Sequence, residues 1–82
     1  MRLEEDWAVS LVRICSFFQE QPDVEQVPEG FVFGSCRITL RARQGQAGPF
    51  PVARTVVCME GGEADVRTIH QRFFLRFLSA GG

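Results

Sequence analysis

At 82 residues the chain can build one hydrophobic core at most, and a core of that size is marginal. Hydrophobic residues make up 45% and charged residues 23%, which excludes a disordered polyelectrolyte, and a net charge of -1 argues against a generic nucleic-acid coat. All nine basic residues are arginine, whose planar fork suits carboxylates and phosphates.

Cys15, Cys36 and Cys58 are odd in number, lack CxxC spacing and lie within apolar patterns, so reduced, buried thiols in a cytoplasmic protein are expected. The first residues, MRLEEDW, are acidic where a secretory signal would be basic. No apolar run approaches the ~20 residues that span a bilayer, so no membrane partner is expected.

In chain order, the first expected element is a helix over Leu3 to Glu20. Leu3, Trp7, Leu11, Ile14 and Phe18 recur at helical spacing and draw one stripe. Glu4, Glu5 and Asp6 would then fall in its first turn, at the positive end of the helix dipole. Val9, Val12 and Phe17 lie off the stripe. Pro22 ends the helix. The connector from Asp23 to Gly30 carries acids and no base, so the chain up to Gly30 holds seven acids against two arginines.

Phe31 to Glu60 reads as a long β-hairpin with Arg37, Arg41, Arg43 and Arg54 and no acid before Glu60. Period-two alternation places Val32, Cys36, Ile38, Leu40 and Ala42 on one face, and Phe31, Phe33, Arg37, Thr39, Arg41 and Arg43 on the other. Gly34 interrupts the apolar face. Gln44 to Pro51 is too long for a tight turn and reads as a loop. Setting Thr39 opposite Thr55 matches Cys36 with Cys58 and Ile38 with Val56, but leaves Arg54 opposite Leu40 on the apolar side. A one-residue slip returns Arg54 to the arginine side and turns Val56 and Cys58 outward. The first register is preferred because both inner faces match.

Gly61-Gly62 breaks the strand, and Glu63 to Ala80 reads as a second helix. Its core stripe is Val66, Ile69, Phe73, Phe77 and Ala80, with Phe74, Leu75 and Leu78 outside it. The expected fold class is therefore α+β in the order helix, long hairpin, helix (α-β-β-α), with both helices on one hairpin face. One hairpin face cannot cover so much aromatic surface. Homodimerisation through Phe17, Phe74, Leu75 and Leu78 is expected to complete the burial.

The arginine face is the expected partner-binding site: Arg37, Arg41 and Arg43, with Phe31 and Phe33 further along. An acidic protein is the expected partner. The alternative is a nucleic acid, with phosphates on the arginines and bases stacked on the phenylalanines. A plainer possibility is that the arginines pair with Glu4, Glu5, Glu20 or the acidic connector. His70, the only histidine, has no cysteine or histidine at i+3 or i+4, so no metal site is expected and packing at the core boundary is. The carboxylate groups Glu4-Glu5-Asp6 and Glu60/Glu63/Asp65 stand at expected helix starts. No catalytic residue and no cofactor is expected. The expected function is a small non-enzymatic interaction module: an adaptor, inhibitor or regulator.

Overall fold

The computed structural model describes residues 1–80, with side chains as far as Leu78; the side chain of Ala80, expected in the core stripe, lies outside the described residues. The class is α+β. Strand β1 (Arg2–Trp7) is followed by helix α1 (Leu11–Glu20), then strands β2 (Glu25–Val27), β3 (Gly30–Phe33), β4 (Cys36–Ala47) and β5 (Phe50–Glu60), and helix α2 (Glu63–Ala80). The strands form one antiparallel sheet in the order β1-β5-β4-β3-β2. Both helices pack on the same face of it.

The expected helix-hairpin-helix order holds only roughly. The first departure is at the N-terminus, where the segment expected as the first turns of a helix is an edge strand. Leu3, Glu5 and Trp7 alternate with the exposed Arg2, Glu4 and Asp6, so Leu3 and Trp7 satisfy a period of two as well as a helical one. As a strand, this segment pairs with Thr55 to Glu60 and satisfies backbone groups on that side of β5. The terminus is tied down further, because the Met1 ammonium donates to Gly61 O at 2.9 Å and Gly61 N donates to Met1 O at 3.0 Å. The helix begins only after Ser10, whose Oγ accepts from Arg13 N at 3.4 Å as an N-cap.

The expected strand from Phe31 to Arg43 is two strands. Gly34, with φ at 57°, turns the chain through Gly34-Ser35, and Phe33 comes to lie opposite Cys36. Reversing there carries Phe31 and Phe33 onto the face of Cys36 and Ile38, away from the arginines. The expected loop of Gln44 to Pro51 is also mostly strand. Only Gly48-Pro49 turns, with Ala47 opposite Phe50. Gly48 has φ at 63°, the left-handed conformation required at the first central position of a II′ turn.

The β4–β5 register pairs Thr39 with Cys58, Ile38 with Met59 and Arg43 with Arg54. The preferred register is thereby overturned: Arg54 joins the arginine side and Cys36 and Cys58 lie on opposite faces. Extending both strands to a two-residue turn fixes this parity, which a long loop would have left free.

The core lies between the sheet and the two helices. Phe18 stacks on Phe73 at 5.8 Å between ring centroids and tilts against Phe31 at 5.3 Å. Trp7 meets Phe73 edge-on at 4.9 Å. Ile14, Ile38, Met59, Val66 and Ile69 fill the space around these rings. No helix among the described residues is long and apolar enough to cross a membrane. The start of α2 is fastened to the β3–β4 turn: Ser35 N and Oγ donate to Asp65 Oδ2 at 2.8 and 2.7 Å, and Gly62 N donates to Ser35 Oγ at 3.0 Å. These hydrogen bonds hold the Asp65 carboxyl below the ordinary carboxylate range.

Thr55 is the one buried polar side chain of the described core, and its hydroxyl donates to Val9 O at 2.7 Å, joining β5 to the β1–α1 connection. Thr55→Val keeps the shape and leaves that carbonyl unpaired. The expected loss of stability is about 1–3 kcal/mol, read as a lower urea midpoint with an unchanged slope.

Candidate functional site on the open sheet face

No helix covers the second face of the sheet, and its side chains follow from the register. One row across the strands reads Val27, Gly30, Thr39, Cys58, Glu4. On one side of it runs Glu25, Val32, Arg37, Glu60, Arg2; on the other, Arg41, Val56, Asp6. The middle row is built largely of small side chains, so it forms a trough across the sheet. Gly30 deepens it. With φ at 153° and the Ile38 carbonyl where a Cβ would stand, this position takes no side chain.

The trough holds two hollows that share Thr39. One, of about 490 Å³, is lined in part by Val27, Glu29, Gly30, Val32, Arg37 and Thr39, so it holds an acid as well as an arginine. The other, of about 270 Å³, is lined in part by Arg2, Glu4, Thr39, Arg41, Val56 and Cys58; Glu4 is ion-paired to Arg2 at 3.0 Å. Arg37 and Arg41 therefore stand on opposite walls, one beside each hollow.

The four arginines of β4 and β5 divide into two pairs. Asp6 accepts from Arg43 Nε and Arg54 Nε, each at 2.8 Å, and so holds together two like charges that the register sets opposite one another. The bond from Arg54, with that from Arg43, holds the Asp6 carboxyl below its ordinary value against a smaller opposing effect of desolvation. Arg37 and Arg41 are exposed and have no carboxylate within salt-bridge distance among the described residues. Pairing within the chain thus accounts for Arg43 and Arg54, through an acid expected in a helix, and leaves Arg37 and Arg41 available.

The remaining expected site residues are dispersed. Phe31 is buried at 3% exposure beneath Phe18, and Phe33 lies on the helix side, where the Arg72 guanidinium sits 5.1 Å from its ring centroid. Neither shares a surface with Arg37. Phe17 is equally buried, packed against Phe18, Phe73 and Phe77, so it is not part of an exposed apolar surface. Phe74, Leu75 and Leu78 are exposed on α2. Arg72 and Arg76 pair with Asp23 and Glu20 at 2.9 and 3.1 Å, fastening α2 to the chain around the end of α1.

His70 is half-buried beside Phe74, and its Nε2 lies 2.8 Å from Glu5 Oε1, which also accepts from Trp7 Nε1 at 3.1 Å. This cluster ties β1 to α2. Burial pushes the Cys36 thiol above its ordinary range, and no grouping of three histidine, cysteine, aspartate or glutamate side chains suited to a metal occurs among the described residues. The trough itself was not foreseen. Its signal was Gly30 at the start of a strand and the alternation of Arg2, Glu4 and Asp6.

Comparison with protein-family models, with curated proteins and with solved structures finds no match to this chain.

Because the Asp6 pKa is lowered in the folded protein, its contribution to stability is present above the ordinary value of 3.8 and is lost as pH falls through the folded-state value. NMR titration of the Asp6 carboxyl is expected to give a midpoint below 3.8. Asp6→Asn is expected to weaken the acid-side loss of stability, while leaving Arg43 and Arg54 facing each other without their shared acid.

Proposed function

We propose that the protein is a small non-enzymatic binding module whose open sheet face receives an acidic segment of a protein partner. The observation that carries this reading is the position of Arg37 and Arg41: exposed, in no ion pair among the described residues although Glu60 stands opposite Arg37, and on opposite walls of a shallow trough. Guanidinium groups bind carboxylates through paired hydrogen bonds, and the half-buried Val32 beside Arg37, Val56 beside Arg41 and Cys58 beside Thr39 offer apolar contact. The trough floor is built from small side chains, which leaves room for a backbone to approach.

A nucleic acid is the competing ligand for the same arginines. The positions of Phe31 and Phe33 weigh against it, because base stacking needs aromatic rings on the arginine face and these two lie on the other. Fluorescence anisotropy with labelled glutamate-rich peptides and with short DNA and RNA, across a salt series, separates the two. Peptide binding that is lost in Arg37→Glu/Arg41→Glu, with the double variant still folded by circular dichroism, is the expected result. Submicromolar, salt-steep nucleic-acid binding would replace the protein-partner reading.

We further propose self-association through α2. Ala64, Thr68, Gln71, Leu75 and Leu78 are all exposed and uncharged, and their alternating spacing of four and three residues makes a seam of the kind that packs against a second helix, with Phe74 beside it. Sedimentation velocity is expected to show a dimer that becomes monomeric in Leu75→Glu/Leu78→Glu. A wild-type chain that stays monomeric at high concentration removes this part of the proposal.

A further inference from the structure

The β4–β5 hairpin outruns its neighbours. β1 stops opposite Thr55 and β3 begins opposite Thr39, so Leu40 to Ala47 and Phe50 to Arg54 project as a two-stranded arm. In a hairpin closed by two residues the flanking pair, here Ala47 and Phe50, is hydrogen-bonded. By alternation, odd-numbered residues of β4 bond to β5, and even-numbered ones present N–H and C=O to the other side. The Ile38 carbonyl, lying against Gly30 of β3, follows this rule. Leu40, Ala42, Gln44 and Gln46 therefore aim their backbone groups along an edge that no strand of this chain occupies.

That edge differs from the other side of the arm. On β5 the residues that point outward beyond β1 are Pro51 and Ala53, and proline has no N–H to offer. The β4 edge has no such block. It also lies between two unlike surfaces. On the helix side are a hollow of about 180 Å³ lined in part by Leu11, Cys15 and Leu40, and one of about 380 Å³ lined in part by Leu11, Ala42 and Pro51. On the open side are the arginines, of which Arg41 has no acid partner among the described residues.

We infer that the partner's acidic segment binds by strand addition to β4 between Leu40 and Gln46. This rests on the acidic-partner reading and names its mode. The added strand alternates apolar side chains toward Leu11 and Leu40 with acidic side chains toward Arg41. Its end nearest Leu40 meets the Gly30 hollow, which Arg37 and Glu29 both line, so the acidic side chains belong toward Arg41 and away from Glu29. Charge disfavours two registers of a second copy in this place: two arms paired about Ala42 set each Arg41 opposite the other's Arg43, and pairing about Arg43 sets that residue against itself. Pairing about Gln44 sets Arg43 opposite Gly45 and escapes both, so a second copy is the rival occupant that the test must exclude.

The probe is a fluorescent peptide alternating glutamate with valine and leucine, alongside one N-methylated at every second residue. Hydrogen exchange on the wild-type chain is expected to show the Ala42, Gln44 and Gln46 amides becoming protected as the peptide binds. N-methylation, and separately Ala42→Pro, is expected to weaken binding at least about tenfold, a difference of ~1.4 kcal/mol. Equal binding of the N-methylated peptide with those amides still exchanging overturns strand addition; loss of that same binding in Arg37→Glu/Arg41→Glu would show that the acidic-partner reading survives alone. Protection of the three amides without peptide, together with a dimer by sedimentation, overturns the proposal in favour of a second copy. Binding that survives arginine reversal but not Ala42→Pro supports strand addition while removing the acidic-partner reading.

Discussion

β5 is the strand on which the rest of the fold depends. It pairs with β4 along its whole length and with β1 from Thr55 to Glu60, so among the described residues it carries all the backbone pairing of the N-terminal strand. Thr55, Val57 and Met59 are its buried residues, and Thr55 also holds the chain at Val9, where it leaves the sheet for α1. Without the β1 pairing, backbone groups on one side of β5 would need water, and Glu5 would not be placed between Trp7 and His70. The sheet hydrogen bonds and the helix packing are thus secured at the same strand.

With both helices on one face, the chain divides its side chains sharply. Phe17, Phe18, Phe31, Phe73 and Phe77 all fall on the helix side or within the helices, in edge-on, tilted or stacked arrangements that suit aromatic rings. The open face receives β-branched and small residues together with five arginines (Arg2, Arg37, Arg41, Arg43, Arg54) and four acids (Glu4, Asp6, Glu25, Glu60). Such a face remains in water only if its charges do not repel one another strongly, and Asp6 meets that need for Arg43 and Arg54. Arg43 and Arg54, ion-paired to Asp6, are part of the scaffold. Arg37 and Arg41 make no ion pair among the described residues, although Glu60 stands opposite Arg37 and turns to Arg2 instead, and that difference marks the candidate binding surface.

Period and turn chemistry decided how much of this could be read from the residues. α2 was legible because Val66, Ile69, Phe73 and Phe77 repeat cleanly, with Gly61-Gly62 before them and Glu63 and Asp65 in the first turn. β4 was legible through Ile38, Leu40 and the arginines between them. β1 was not, because spacing by four satisfies both a helix and a strand, and only pairing with β5 favours the strand. The face of Phe31 turned on Gly34, since a glycine in a strand pattern marks either a bulge or a reversal, and a reversal changes every assignment before it. Arg37 and Arg41 were identifiable as an exposed pair from alternation alone. The trough between them was not, because it depends on which residues of β3 and β5 lie beside Thr39.

The edges of the sheet give the last step. An exposed strand edge invites pairing, and proteins protect edges with charge, brevity or proline. β1 carries three consecutive acids, so pairing with itself about Glu4 or Glu5 would place like charges together. β2 has only three residues and is followed by Pro28. The arm's β5 side has Pro51. The even-numbered side of β4 from Leu40 to Gln46 has neither brevity nor proline, and its one device is the charge of Arg41 and Arg43. With arginine on one face and a hollow lined in part by Leu11 and Leu40 on the other, this edge has the chemistry of the acidic strand proposed for it. The polarity of the sequence, acidic at the front and basic in the middle, thus becomes spatial: the front acids settle two of the four sheet arginines and protect one edge, and the charge left over stands beside the edge that remains open.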